Sequence, residues 1–394
     1  MKNWKKTQNN TENVEEVAEV ESPAPATVEE WKKHKSGNGG IKSGELHKSA
    51  VAEAVAEAEE KEVEALPVSD EDAKKVKKFS DAIFKIKSEL AKDIVGMEEI
   101  VDNVICAIIA GGNVLLEGVP GVGKTRLVRS LAQTLQLSFS RIQFTPDLMP
   151  SDVTGSNIIE QDEKGKMNTV FQSGPIFANL VLADEINRTT PKTQAAMLEV
   201  MQEHKVTVAK QSYALAEPFF VLATQNPIEQ DGTYPLPEAQ MDRFMFKLLV
   251  EFPSASEIKN IVKMTQITMA ETSKAVVDGK TILEMRELAK NVPIMDEVLE
   301  FAVNIVTNTH PETSNASSTA KKYIKFGASP RAAQALVTCA KVRALMQGHY
   351  NVSYKDVKAL AYPVLRHRIK LNYNAISDKL TIDDVIKQVI NETK

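Results

Sequence analysis

Eight consecutive residues, Gly118, Val119, Pro120, Gly121, Val122, Gly123, Lys124 and Thr125, follow the spacing G-x-x-x-x-G-K-[ST]. Each type has a job in holding phosphate. The glycines let the backbone wrap tightly with its N–H groups turned inward. A helix beginning at 123–124 would add its positive end. Lys124 brings a point charge for the β and γ phosphates, and the Thr125 hydroxyl is a ligand for Mg²⁺. The chemistry implied is binding of a nucleoside triphosphate, ATP with Mg²⁺.

Such a loop, a Walker A motif, needs a second strand to complete its cation site. "NLVLADE" lies some 60 residues downstream, a run of strand formers ending in two acids. This is the layout of a Walker B motif. Asp184, at the strand end, is placed to hold Mg²⁺ through its water shell, and Glu185 to orient and deprotonate the attacking water. Alone, an apolar run ending in Asp-Glu reads better as a solvated strand end; the loop upstream is what turns it into chemistry.

The elements that must position these groups can be read around them. "NVLLEG" is a short buried strand feeding the loop, and "KTRLVRSLAQTL" the helix after it. Further strand-like runs at 179–183 and 218–223, with helical runs between, predict an α/β fold with a parallel sheet. Two amphipathic helices precede the first strand, the second ending at Gly111-Gly112. After "EFPSASE" the pattern is helical. Three segments follow: a disordered, acidic, low-complexity tail with a possible helix over 1–78, a P-loop ATPase core over 79–254, and a smaller all-α lid over 255–394. The tail is poor in large apolar residues and holds both tryptophans, Trp4 and Trp31. They suit either a solvated arm or a docking arm with a Trp anchor.

Composition excludes little but narrows the class. Of 394 residues 43% are apolar and 26% charged, with a net charge of -5, a poor match to a protein whose main work is gripping nucleic acid. Cys106 and Cys339 are far apart in sequence, which suggests two lone thiols in a reducing, cytoplasmic setting. There is no apolar run of roughly 18 residues to span a membrane. The six histidines lack metal-ligand spacing; His204, His310 and His367 read as helix-surface or core residues.

"NVLLEGVPGVGKT", "LADEINRTTPKTQAAMLEVMQE", "FFVLATQNPIEQDGTYPLPEAQMDRF" and "GASPRAAQAL" resemble the MoxR family of AAA+ ATPases, over about residues 90–380. The resemblance implies further roles. Asn226 in "ATQNP" matches sensor 1, a polar group that helps place the attacking water. Arg243 in "MDRF" matches the arginine finger that reaches a neighbour's γ-phosphate, against the plainer reading of a surface Arg paired with Asp242. Arg331 in "GASPRA" matches sensor 2, in the first turn of a lid helix with Ser329 as N-cap and Pro330 at the first position; the plainer reading is a solvated Arg. Arg188 is open between a contact to a neighbouring subunit and none. Gln143 or Thr145 is a candidate restraint on Glu185 in the absence of ATP. "NIIEQDEKGKMNTVFQSGP", near 155–176, reads as a β-hairpin and looks like the helix-2 insert of this clade, and "KVTVAKQSYAL" reads as a second hairpin. The basic residues of "VLRHRIK" are candidates to face the nucleotide or a neighbour.

The function implied is an ATP-hydrolysing, chaperone-like factor that matures or remodels protein complexes. It would work as a homo-oligomer, a hexameric ring, with a client carrying a von Willebrand A domain and without nucleic acid. Two rivals stand: a DNA-associated motor of the same clade, and a binding switch with negligible turnover.

Overall fold

The structure, a computed structural model, describes residues 69–161, 166–227, 232–267 and 273–393. The expectations for residues 1–68, with Trp4 and Trp31, and for the Lys-Gly turn of the first hairpin lie outside the described residues.

Helix α1 (Asp70–Leu90) begins earlier than the apolar pattern from Phe79 suggests. The Ser69 hydroxyl accepts from the Asp72 N–H, and Asp70, Glu71 and Asp72 place negative charge on the first turn. Its buried stripe is Val76, Phe79, Ile83, Ile86 and Leu90, spaced three and four apart. Helix α2 (Glu98–Ala110) ends at Gly111, whose φ of 80° lets the chain turn out of the helix.

Five strands form one parallel sheet: β1 (Val114–Gly118), β2 (Phe139–Gln143), β5 (Leu180–Asp184), β8 (Phe220–Gln225) and β9 (Phe246–Val250), in the order β2-β5-β8-β1-β9. Every residue of β5 is buried, as expected of a strand covered on both faces. Alternate side chains enter two apolar clusters. Leu116, Leu180, Leu182 and Leu222 pack on the face that runs on into the lid. Leu115, Val181, Ala183 and Val221 pack on the other. Two antiparallel hairpins leave this core, β3 (Gly155–Gln161) with β4 (Met167–Ser173), and β6 (Lys205–Val208) with β7 (Gln211–Ala214). Phe171 of the first stacks on Tyr213 of the second with ring centroids 4.0 Å apart, which ties the hairpins together.

The lid is helical, built around α3 (Pro330–Met346), α4 (Tyr354–Leu365) and α5 (Ile382–Glu392), with one small addition: Ile324–Phe326 pairs antiparallel with Lys370–Leu371. Cys106 and Cys339, remote in sequence, meet where α2 packs on α3; the Cys106 thiol lies 3.5 Å from the Cys339 carbonyl, and both are free and buried. No described helix is long and apolar enough to cross a membrane.

"VLRHRIK" is mostly a fastening. Arg366 grips Asp383 of α5 through three bonds, Nε to Oδ1 at 2.8 Å and to Oδ2 at 3.1 Å, and Nη2 to Oδ2 at 2.6 Å, with side chains 8% and 2% exposed. Arg366→Ala leaves a buried carboxylate without its cation. The expected result is a loss of about 3–5 kcal/mol of stability, read as a lower urea midpoint; an unchanged midpoint would show the pair to be dispensable. His367 donates through Nε2 to the Phe244 carbonyl at 2.9 Å, while burial, and then the adjacent Arg368, hold its pKa well below the ordinary value. His204 and His310 are similarly occupied, by Glu217 and the Ala328 carbonyl.

Candidate nucleotide site

The loop sits at the C-terminal end of β1. A side chain at Gly118 would start 2.5 Å from the Val250 carbonyl of β9, so the close approach of these strands requires glycine there. Val119, Pro120, Gly121 and Val122 carry the chain round, with Val122 buried as the loop's anchor. Gly123, at φ 94°, caps the helix Lys124–Thr134, and Thr125 is half-buried in its first turn. The Lys124 ammonium donates to the Gly118 carbonyl at 2.6 Å. Burial lowers its pKa, against the opposing pull of Asp184, Glu185 and Glu117. Those acids therefore lie near enough to act on the charge of Lys124.

Asp184 is 9% exposed. Its Oδ1 accepts from the Thr224 hydroxyl at 2.6 Å, and its Oδ2 from Arg141, Nε at 3.0 Å and Nη2 at 2.7 Å. Glu185 leaves the strand in the left-handed region, φ 58° and ψ 48°, a cost for a residue with a Cβ that such sites tolerate for the sake of aim. Its N–H donates to the same Thr224 hydroxyl at 2.8 Å. Its carboxylate accepts from Gln143 Nε2 at 2.8 Å and Arg188 Nη1 at 3.0 Å. Of the two candidate restraints, Gln143 makes the bond; Thr145 bonds Asp147 instead. Arg188 turns to Glu185 within its own chain.

Asn226 follows β8 directly and is 5% exposed, so it stands beside the end of β5. Arg331 lies in the first turn of α3, as read from sequence, but its Nη1 rests 3.2 Å from Asp242 Oδ2. Ser329 holds the N-cap position, yet its hydroxyl donates to Asp242 at 2.8 Å rather than capping the helix. Arg368 completes the set, with Nε 2.9 Å from Asp242 Oδ1 and further bonds to the carbonyls of Phe244 and Met245. Asp242 is thus the point at which three lid side chains hold the core. Arg243 is not its partner; it is exposed and donates to the Leu198 carbonyl at 3.2 Å.

The donor set suits a hard divalent cation. Among the described residues no group of three or more His, Cys, Asp and Glu could hold a metal. An ion here would rest on the Asp184 carboxylate, the Thr125 hydroxyl, nucleotide phosphate and water, which is how Mg²⁺ is commonly held. Sequence reasoning missed Thr224 and Arg141. The one signal for Thr224 was its place two residues before Asn226 on the neighbouring strand.

A Gly-rich loop of phosphate-binding pattern at the end of an inner strand, paired acids on a nearby parallel strand and a helical lid fastened beside them define an AAA-type ATPase. Comparison with known proteins agrees: residues 113–246 match the ATPase family associated with various cellular activities (AAA), and residues 316–389 match the AAA lid domain. The chain is 39% identical over 318 residues to chaperone MoxR1 of Mycobacterium tuberculosis, covering 81% of this chain and 82% of that one. It is 40% identical over 311 residues to the Bacillus subtilis protein YeaC, covering 79% and 93%. A solved structure from Cytophaga hutchinsonii superposes with a TM-score of 0.76 at 38% identity, over 82% of this chain and 97% of that one. The chain belongs to the MoxR family of AAA ATPases.

Proposed function

We propose that this protein hydrolyses ATP with Mg²⁺ and spends the turnover on remodelling protein complexes. The observation that carries the reading is the joint placement of Asp184 and Glu185 at the end of β5, where both bond the Thr224 hydroxyl; the charge of both also acts on Lys124. The loop amides and Lys124 would bind the phosphates, Thr125 and Asp184 would hold the cation, and Glu185, aided by Asn226, would take the proton of the attacking water. Arg331 would reach the phosphates from the lid, and Arg243 those of a neighbouring subunit in a homo-oligomeric ring. The core and lid divide near residue 254 in this reading.

The client is proposed to be a protein, one carrying a von Willebrand A domain, as the family likeness suggests. The name chaperone given to the Mycobacterium tuberculosis relative supports protein remodelling. On the first hairpin Ile159 and Met167 are 73% and 66% exposed, apolar groups suited to contact with a client.

Lys124→Ala tests the loop. The expected result is loss of nucleotide binding by at least about tenfold, since the phosphates lose their charged partner, measured by titration with a fluorescent ADP derivative. Unchanged affinity would refute the site. Phosphate release by the wild-type protein separates a hydrolase from a binding switch, because no release in the assembled state would sink the hydrolase reading.

A further inference from the structure

Arg141 and Gln143 are two residues apart on β2, so both side chains leave one face of that strand. The parallel register sets Gln143 opposite Asp184. From there a single chain of bonds joins both acids. Arg141 binds Asp184 Oδ2 through Nε and Nη2, at 3.0 and 2.7 Å. The same Nη2 donates to Gln143 Oε1 at 2.6 Å. Gln143 in turn donates to Glu185 at 2.8 Å, and Arg188 closes on that carboxylate from the other side.

We propose that Arg141 is a positioning residue, the protein's own counter-ion for Asp184, which competes with the divalent cation for that carboxylate and through Gln143 keeps Glu185 away from water. The inference rests on the reading of Asp184 as the cation side and Glu185 as the water side.

A nearly buried carboxylate needs a partner, and Arg141 supplies a charge that no change of pH in the working range removes. It can be displaced but not neutralised. The exposures favour displacement. The Arg141 side chain is 47% exposed and can move into solvent without leaving a void, whereas that of Asp184 is 13% exposed and is held at its other oxygen by Thr224. A compact dication outcompetes a delocalised monocation at such an oxygen. Once Arg141 has left, the Gln143 carbonyl loses its donor and the amide is free to turn, so Glu185 keeps only Arg188. Cation binding at Asp184 thereby also removes one of the two side-chain donors that hold the general base.

The test uses the full chain carrying Arg141→Met or Arg141→Lys, titrated with a fluorescent ADP derivative at a series of Mg²⁺ concentrations and in EDTA. Removing the competing charge makes the site more negative, so Arg141→Met should bind the probe in EDTA no better than wild type. Its half-saturating Mg²⁺ should fall, by about tenfold after allowing for solvent screening. Arg141→Lys, which keeps the charge but loses the fork, should lie between the two. A half-saturating Mg²⁺ that stays the same or rises in Arg141→Met overturns the proposal, as does loss of probe binding at every Mg²⁺ concentration. Lys124→Ala separates this from the parent reading. If Lys124→Ala loses the probe while Arg141→Met leaves the Mg²⁺ dependence unmoved, only the role of Arg141 fails. If Lys124→Ala binds normally, the site itself is misread.

Discussion

Glu185→Gln is expected to bind nucleotide as the wild type does and to lose hydrolysis by about 10²–10⁴-fold, the usual worth of a positioned general base. The substitution is close to silent structurally. An amide at 185 retains an oxygen that can accept from Gln143 and Arg188, the two donors that now hold the carboxylate. The bond from the residue 185 N–H to Thr224 belongs to the backbone and survives. The left-handed conformation costs Gln what it costs Glu. Nothing in the loop is touched, so Lys124 and Thr125 keep their places. What disappears is the capacity to take a proton. Phosphate release and equilibrium binding of a fluorescent nucleotide, measured on the same preparation, separate the two effects. Normal turnover in this variant would mean that another group is the base. With binding intact and hydrolysis gone, the variant would also hold the proposed ring in its nucleotide-bound form and so serve as a trap for the proposed client.

The loop and the acids were legible in the sequence because their chemistry is local. Eight contiguous residues mark the loop proposed to cradle phosphate, and that loop in turn singles out the acids at the later strand end. Helix ends were legible for the same reason, as at Gly111, where the chain needs a positive φ. What could not be read depends on sheet order. Gln143 was one of two candidates, and only the in-register pairing of β2 with β5 decides for it. Thr224 and Arg141 carry no motif; they matter because β8 and β2 flank β5. Asp242 was weighed as a local partner for Arg243. In the fold three lid groups, Ser329, Arg331 and Arg368, claim it from about ninety or more positions away in sequence. The turn of the second hairpin was hidden for another reason. Ala209 and Lys210 both take positive φ without being Gly, Asn or Asp, so the hairpin was visible from its strands and not from its turn. The meeting of Cys106 with Cys339 likewise needed the lid to be folded against the core.

The claim of Asp242 by the lid bears directly on its neighbour. Three lid groups hold Asp242, Phe244 is fully buried, and His367 and Arg368 grip the backbone around it. Arg243 is left projecting from a fixed segment with a neutral carbonyl as its partner, and among the described residues no carboxylate pairs with it. A guanidinium so placed is rigid at its base and cheap to redirect at its tip, which is what a group reaching into a neighbouring subunit needs. Arg243→Ala is therefore expected to lower hydrolysis by about 10³–10⁵-fold with nucleotide binding retained. The decisive measurement mixes it with Glu185→Gln. Each variant alone is inactive, but for different reasons: one lacks the finger it lends, the other lacks its own base. In a closed head-to-tail ring a site with an intact Glu185, belonging to an Arg243→Ala subunit, can receive its arginine from a Glu185→Gln neighbour. Random mixing in equal amounts makes about a quarter of the interfaces competent, so phosphate release should recover to a measurable fraction of wild type. If subunits demonstrably exchange and no activity returns, Arg243 does not act across an interface, and the site must draw its arginine from within its own chain, where Arg331 and Arg188 are the candidates.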